Sequence, residues 1–254
     1  MLSRIILPAI ARLLTIIIPP ANWYRAALFI SGIVAFLVRL RGAGGLRPHR
    51  YEQAILLNRL LAFLTRSEQP FPVPWRMEPE VRGIMNAATL SGRGVVFCSA
   101  HLPLIKVGVR ALMESGRTPT AAIAAEPGVD GRIPIWGLAE RLPTFKVQPD
   151  VLLRTRTVLR GGGSVLLLVD TIKGDYSPNI FRLAGVTGAT VLFFTAELEG
   201  DGCVHVSVFP APFPACANRT QNTGNLLALD REIGRISGRQ QEGSFDTVQA
   251  IRLT

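Results

Sequence analysis

The chain has 254 residues, 48% of them apolar and only 18% charged. That is enough chain for one large α/β domain or two small ones, with apolar side chains for a sizeable core. A charged fraction below the roughly 25% usual in soluble domains, with a mean hydropathy of +0.30, leaves apolar surface over for membrane or lipid. The formal net charge is +10, and 25 of the 28 basic residues are arginine, whose planar fork of donors suits phosphate and carboxylate. The basic residues form no run of four or more, and aromatic residues are sparse, so nucleic acid is not an expected partner. Anionic lipid headgroups or a phosphopantetheine carrier are. The same arginine excess is equally the mark of a GC-rich genome. Cys98, Cys203 and Cys216 are odd in number and scattered, which argues against a disulfide framework or a zinc site and points to a reducing compartment.

Two apolar runs open the chain, Ile5 to Ile18 and Ala26 to Val38, each shorter than the roughly 20 residues needed to span a bilayer. Pro19 and Pro20 keep them from forming one straight helix. Arg4, Arg12, Arg25, Arg39 and Arg41 punctuate or flank the runs, and Trp23 and Tyr24 lie between them. That arrangement predicts an interfacial or shallowly inserted anchor with arginines at the headgroups and the two aromatics at the polar boundary, with a true span and buried core helices as the alternatives. A cleaved signal peptide is disfavoured, because Arg12 breaks the apolar region. The chain thus divides into a membrane-associating segment over 1–40, a linker and amphipathic helix over 41–77, and an α/β domain over 78–254.

Arg41 to Arg50 is rich in Gly and Arg and reads as a linker, Tyr51 to Arg66 carries a helical stripe of apolar residues, and Gln69 to Trp75 is a proline-rich connection. An alternating pattern follows. Helices are predicted at Glu78 to Leu90, Leu104 to Ser115, Ile133 to Arg141, Val151 to Arg160 (closed by Gly161), Ile180 to Val186 and Asn225 to Ile236. Strands are predicted at Gly94 to Ala100, Thr120 to Ala125, Phe145 to Gln148, Ser164 to Val169, Thr190 to Ala196 and Val204 to Phe209. This alternation implies a largely parallel sheet flanked by helices on both faces.

Gly161-Gly162-Gly163-Ser164 follows a helix and precedes a strand, the reverse of a phosphate loop, so it reads as a helix cap and turn. His101 stands just past a buried strand, with Pro103 where the next helix begins, and ligands of parallel sheets collect at that edge. Asp170 ends another strong strand at the same edge. His49, in the basic linker, and His205, in a late strand, read as structural or surface residues.

The segment GVVFCSAHLPLIKVG, Gly94 to Gly108, resembles the first motif of the lysophospholipid acyltransferase superfamily, and is most similar to that of the bacterial lipid A late acyltransferases. The resemblance extends loosely over Ala54 to Ile236, taking in VLLRTRTVLRGGGSVLLLVD, Val151 to Asp170, and LAGVTGATVLFF, Leu183 to Phe194. It implies transfer of a fatty acyl group from acyl carrier protein or coenzyme A to a hydroxyl or amine, with the thioester as donor substrate and no metal or other cofactor. It also implies a place on the cytoplasmic face of a bacterial inner membrane. Departures accompany it. The family sets an acid five positions after its histidine, and that position is Lys106 here; the family's Arg-Pro segment corresponds to Glu126-Pro127; and the stretch after Asp170 is short.

The chemistry needs a neutral histidine to take the acceptor's proton and normally a carboxylate to orient the ring. Losing such a partner in a protease triad costs about 10⁴-fold, or about 5 kcal/mol. An ammonium has only donors and cannot replace it. Three outcomes follow: Glu126 supplies the acid from a neighbouring strand's end, the acyl transfer is a less demanding one, or the chain is a degenerate homologue that binds lipid or carrier without turnover. The catalytic candidates are His101 and Glu126, and the candidate substrate contacts are Lys106, Asp170 and Arg132.

Overall fold

A computed structural model describes residues 2–40, 49–67, 69–123, 131–136, 138–148, 150–169, 179–216 and 219–238. In chain order these form α1 (Leu2–Ile17), α2 (Trp23–Leu40), α3 (His49–Leu64), β1 (Trp75–Arg76), α4 (Pro79–Leu90), β2 (Val95–Ser99), α5 (Ile105–Glu114), β3 (Thr120–Ile123), β4 (Arg132–Pro134), β5 (Arg141–Lys146), α6 (Val151–Arg160), β6 (Ser164–Leu168), α7 (Asn179–Thr187), β7 (Thr190–Leu198), β8 (Val204–Pro210) and α8 (Arg219–Ser237). Single 3₁₀ turns sit at Pro20–Asn22 and Thr65–Ser67.

The described strands make an eight-stranded sheet in the order β1-β8-β7-β2-β6-β3-β5-β4. Its middle is parallel, as the alternating pattern predicts: β7, β2, β6, β3 and β5 run together. Both flanks depart from that pattern. β8 returns antiparallel to β7 across the tight turn at Glu199–Cys203, and β4 pairs antiparallel with β5. The β4–β5 hairpin stands where a short helix is predicted over Ile133 to Arg141; Pro134 disfavours a helix there and is tolerated on an edge strand.

Alternate side chains of the central strands feed opposite faces. Val95 and Phe97 of β2 pack with α4 and α5, while Val96 and Cys98 pack with α6, α7 and α8. All five residues of β2 are buried, as a strand covered on both faces requires. The glycine turn after α6 performs the cap that the sequence suggests, with Gly161 as the C-cap residue and the left-handed turn one residue later. Gly161 keeps φ −78°, and Gly162 takes the left-handed φ of +76°.

The N-terminal helices belong to the same body. Trp23 and Tyr24, expected at a membrane–water boundary, are instead buried, 1% and 2% exposed. The Trp23 indole donates to the Ile18 carbonyl at 2.8 Å and packs on Phe71, ring centroids 5.8 Å apart. The Tyr24 hydroxyl donates to the Gly202 carbonyl at 2.7 Å, and burial pushes that phenol up from its ordinary pKa. Ala27, Ser31 and Ala35 continue the buried stripe of α2, which packs on α3. On the outward face Phe29, Ile33, Phe36, Leu37 and Leu40 are exposed, as are Leu13, Ile16 and Ile17 of α1. Pro20–Leu40 is long and apolar enough to cross a membrane by length and composition alone.

Candidate functional site

β2 lies at the centre of the sheet, and the chain leaves it through two tight turns. Leu102 N–H donates to Ala100 O at 2.7 Å, and Ile105 N–H donates to Leu102 O at 3.2 Å, which starts α5. Ala100 and Leu102 are anchored, each 4% exposed, and His101 between them is exposed. The imidazole is therefore carried on a rigid turn at the carboxyl edge of the sheet, open to a ligand. Two residues earlier Ser99 is fully buried, and among the described residues its hydroxyl has no hydrogen-bond partner.

Lys106 is in the first turn of α5. That turn contains no acidic residue, and its N-cap, Leu104, supplies no side-chain cap. The ammonium stands 5.4 Å from the centroid of the Trp136 ring, within cation–π range. Its side chain is exposed, yet desolvation by the surrounding protein lowers its pKa from the ordinary 10.5. Trp136 is fixed from below by Arg110, which is 8% exposed and donates from Nη1 to the carbonyls of Trp136 and Phe71, at 3.1 and 3.0 Å, while pairing with Glu114 at 2.9 Å. Arg110 has no conspicuous motif around it, and the sequence reading overlooks it.

Glu126 and Asp170 lie outside the described residues. The sheet order nevertheless revises the ground on which Glu126 is chosen. β3, which ends three residues before Glu126, is not the neighbour of β2; β6 runs between them. β6 is the direct neighbour, paired Ser99↔Leu168, and Val169 N–H donates to Ser99 O at 2.8 Å. Arg132 is exposed on the edge strand β4, four places from β2, or about 19 Å along the sheet at about 4.8 Å per strand.

A cavity of about 390 Å³ opens beside the His101 turn. Its wall is built from Pro103, the β7 end at Ala196–Leu198, the α3 start at His49–Tyr51, and Arg235 and Ile236 near the end of α8. Arg235 is held above its ordinary pKa, first by hydrogen bonding to Glu232 and then by Glu197, which it meets at 2.8 Å. His49 and Arg50, assigned to a linker by composition, are thus the first residues of a helix and line a cavity; 41–48 lie outside the described residues. His205 sits in an ion-pair cluster away from the cavity lining. Its ring nitrogens face Glu199 at 3.3 Å and Glu78 at 3.5 Å, while Arg76 pairs with both Glu199 and Asp201. The Asp201 carboxyl is held below its ordinary value, chiefly by the Cys203 backbone N–H that donates to it at 2.9 Å. This cluster ties β1 to β8 and to the β7–β8 turn. Among the described residues no group of three or more His, Cys, Asp or Glu is placed to hold a metal ion.

No protein-family model matches the chain, and a search of proteins of curated function finds no significant match.

Proposed function

We propose that the chain is an acyltransferase working at a membrane surface, moving a fatty acyl group from an acyl carrier protein or coenzyme A thioester to a hydroxyl or amine acceptor. The observation that carries this reading is the exposed His101 between two buried anchors at the carboxyl end of the central strand, beside a cavity in a chain with a broad exposed apolar helix face. His101 takes the acceptor's proton as the acceptor oxygen or nitrogen bonds to the thioester carbon. The C–S bond then breaks, and the imidazolium returns the proton to the departing thiolate. The first turn of α5, without an acid and with Lys106 beside it, presents positive potential where the carbonyl oxygen becomes negative.

The membrane part of the proposal rests on α1 and α2. One face of α2 is committed to α3, and the other presents Phe29, Ile33, Phe36 and Leu37 around an open groove ending at Arg25 and Gln53. A helix with one face bound to protein and the other apolar suits lying in the interface better than spanning it. We place the protein on the cytoplasmic face of a bacterial inner membrane, the compartment in which carrier thioesters are available.

A second reading, lipid or carrier binding without turnover, is favoured by Lys106, the cation at the position where the resemblance expects the orienting acid. Incubating the full chain in lipid vesicles with acyl-carrier-protein or acyl-coenzyme A thioesters and a membrane lipid extract separates the two readings. Mass spectrometry detecting a new acyl ester or amide, with matching thiol release, supports the enzyme. Binding with neither product supports the second reading.

A further inference from the structure

We propose that the cavity beside the first described turn of α3 is a phosphate-binding subsite, with Arg50 as its principal ligand and Arg235 as support. The proposal stands on the cavity and its charges. Only the identity of the phosphate carrier, the phosphopantetheine arm of the donor or the headgroup of a phospholipid, rests on the acyl-transfer reading.

The lining carries His49, Arg50 and Arg235 against a single acid, Glu197. Glu197 is already engaged by Arg235, whose Nη2 meets it at 2.8 Å. Glu232 takes the Arg235 Nε at 3.1 Å, and among the described residues no acceptor meets the Nη1 of Arg235. That guanidinium is therefore oriented by its two carboxylates and keeps one nitrogen without a described acceptor. Arg50 differs: among the described residues no carboxylate pairs with it, and the nearby acids Glu199 and Asp201 are occupied by Arg76. Its guanidinium is nevertheless in a defined place, lying across Gly200 in the β7–β8 turn, where an added Cβ would sit 2.7 Å from Arg50 Nη2. Gly200 does not have a left-handed φ, so the turn itself does not demand glycine; the missing Cβ makes room for the arginine.

His49, Arg50 and Tyr51, in the first described turn of α3, all line the cavity. The acid in that first turn, Glu52, is not among the lining residues. A volume of about 390 Å³ admits a phosphate with a short polar arm, and is within the range of small-ligand pockets. Pro103, also a lining residue, is two residues from His101, which puts the cavity next to the turn that carries the imidazole.

The test measures equilibrium binding of 4′-phosphopantetheine and of pantetheine to the full chain in neutral-lipid nanodiscs, with phosphatidate-doped and diacylglycerol-doped discs as a second pair. The His101→Ala variant serves as a parallel background, so binding is read independently of turnover. The expected result is about tenfold or more tighter binding of the phosphorylated member of at least one pair, the scale of one charge-assisted hydrogen bond. Arg50→Ala and Gly200→Ala each reduce that preference, and Arg50→Lys retains part of it. Preference within the first pair assigns the subsite to the donor, and preference within the second assigns it to a lipid headgroup. Equal binding within both pairs, or a preference unaffected by Arg50→Ala in a variant with wild-type thermal unfolding, overturns the proposal. A phosphate preference without acyl transfer in the wild type leaves the subsite standing and removes only the enzyme reading.

Discussion

The ammonium of Lys106 rests 5.4 Å from the ring centroid of Trp136, and Trp136 is in turn held through its carbonyl by the buried Arg110. The lysine five positions after His101 thus stays exposed while its ammonium stands over an aromatic face. Desolvation lowers its pKa from 10.5, so the charged form is disfavoured in the fold relative to the unfolded chain. That penalty is fully present below the lowered folded pKa and is relieved as pH rises from there toward 10.5. Lys106→Met is expected to leave neutral-pH stability unchanged or slightly raised and to flatten the rise in stability on the alkaline side. Urea unfolding across that range checks it; a large loss of stability contradicts the desolvated-lysine account.

Asp170, not Glu126, is expected to be the more important carboxylate. β6, which leads to Asp170, adjoins β2 directly, with Leu168 opposite Ser99. β3, which leads to Glu126, is one strand further out. Asp170→Asn is predicted to cut acyl transfer by two to four orders of magnitude, on the scale of losing a histidine's orienting acid, with Glu126→Gln milder. The reverse ranking in initial rates restores Glu126.

Arg110→Met removes donors from two backbone carbonyls and a partner from Glu114 in a nearly enclosed site. A loss of about 2 kcal/mol is expected, chiefly from the two buried carbonyls left unsatisfied. It is read as a lowered urea midpoint. A change below about 0.5 kcal/mol, the size of an ordinary surface substitution, shows that the pin is dispensable.

Membrane attachment is best tested on the outer face of α2. Deleting the first forty residues would also remove Trp23, Tyr24 and Ala27 from the core. Phe29→Asp with Phe36→Asp alters only exposed positions, 69% and 56% accessible. The pair is expected to abolish flotation with anionic liposomes while leaving thermal unfolding unchanged. Flotation equal to wild type removes the interfacial role of this face.

The core of the fold is legible because each central element is locally unambiguous. VVFCS of β2 and SVLLL of β6 are short apolar runs bounded by glycine, and the α6 pattern ends at a glycine turn. The flanks are not, for physical reasons. β4 has three residues, one of them proline, and β1 has two, too few to show a period of two. Trp23 and Tyr24 illustrate a different limit: the aromatics that mark a membrane boundary are also the largest core fillers, and their partners, Phe71 and Gly202, are distant in sequence. The position of His101 is readable from the strand-then-proline pattern. The cavity beside it is not, because His49, Arg50, Glu197 and Arg235 meet only when the starts and ends of three elements converge.

The most direct test of the central claim is the acyl-transfer rate of His101→Ala against wild type, both as full chains in lipid vesicles with an acyl-carrier-protein thioester and a membrane lipid extract. His101 is exposed between buried neighbours, and the unfolding midpoint of the variant is measured beside its rate so that loss of fold and loss of chemistry are distinguished. The account predicts a fall of about 10²-fold or more, the scale of a general base, with thioester binding retained. A variant that transfers acyl groups at the wild-type rate contradicts it.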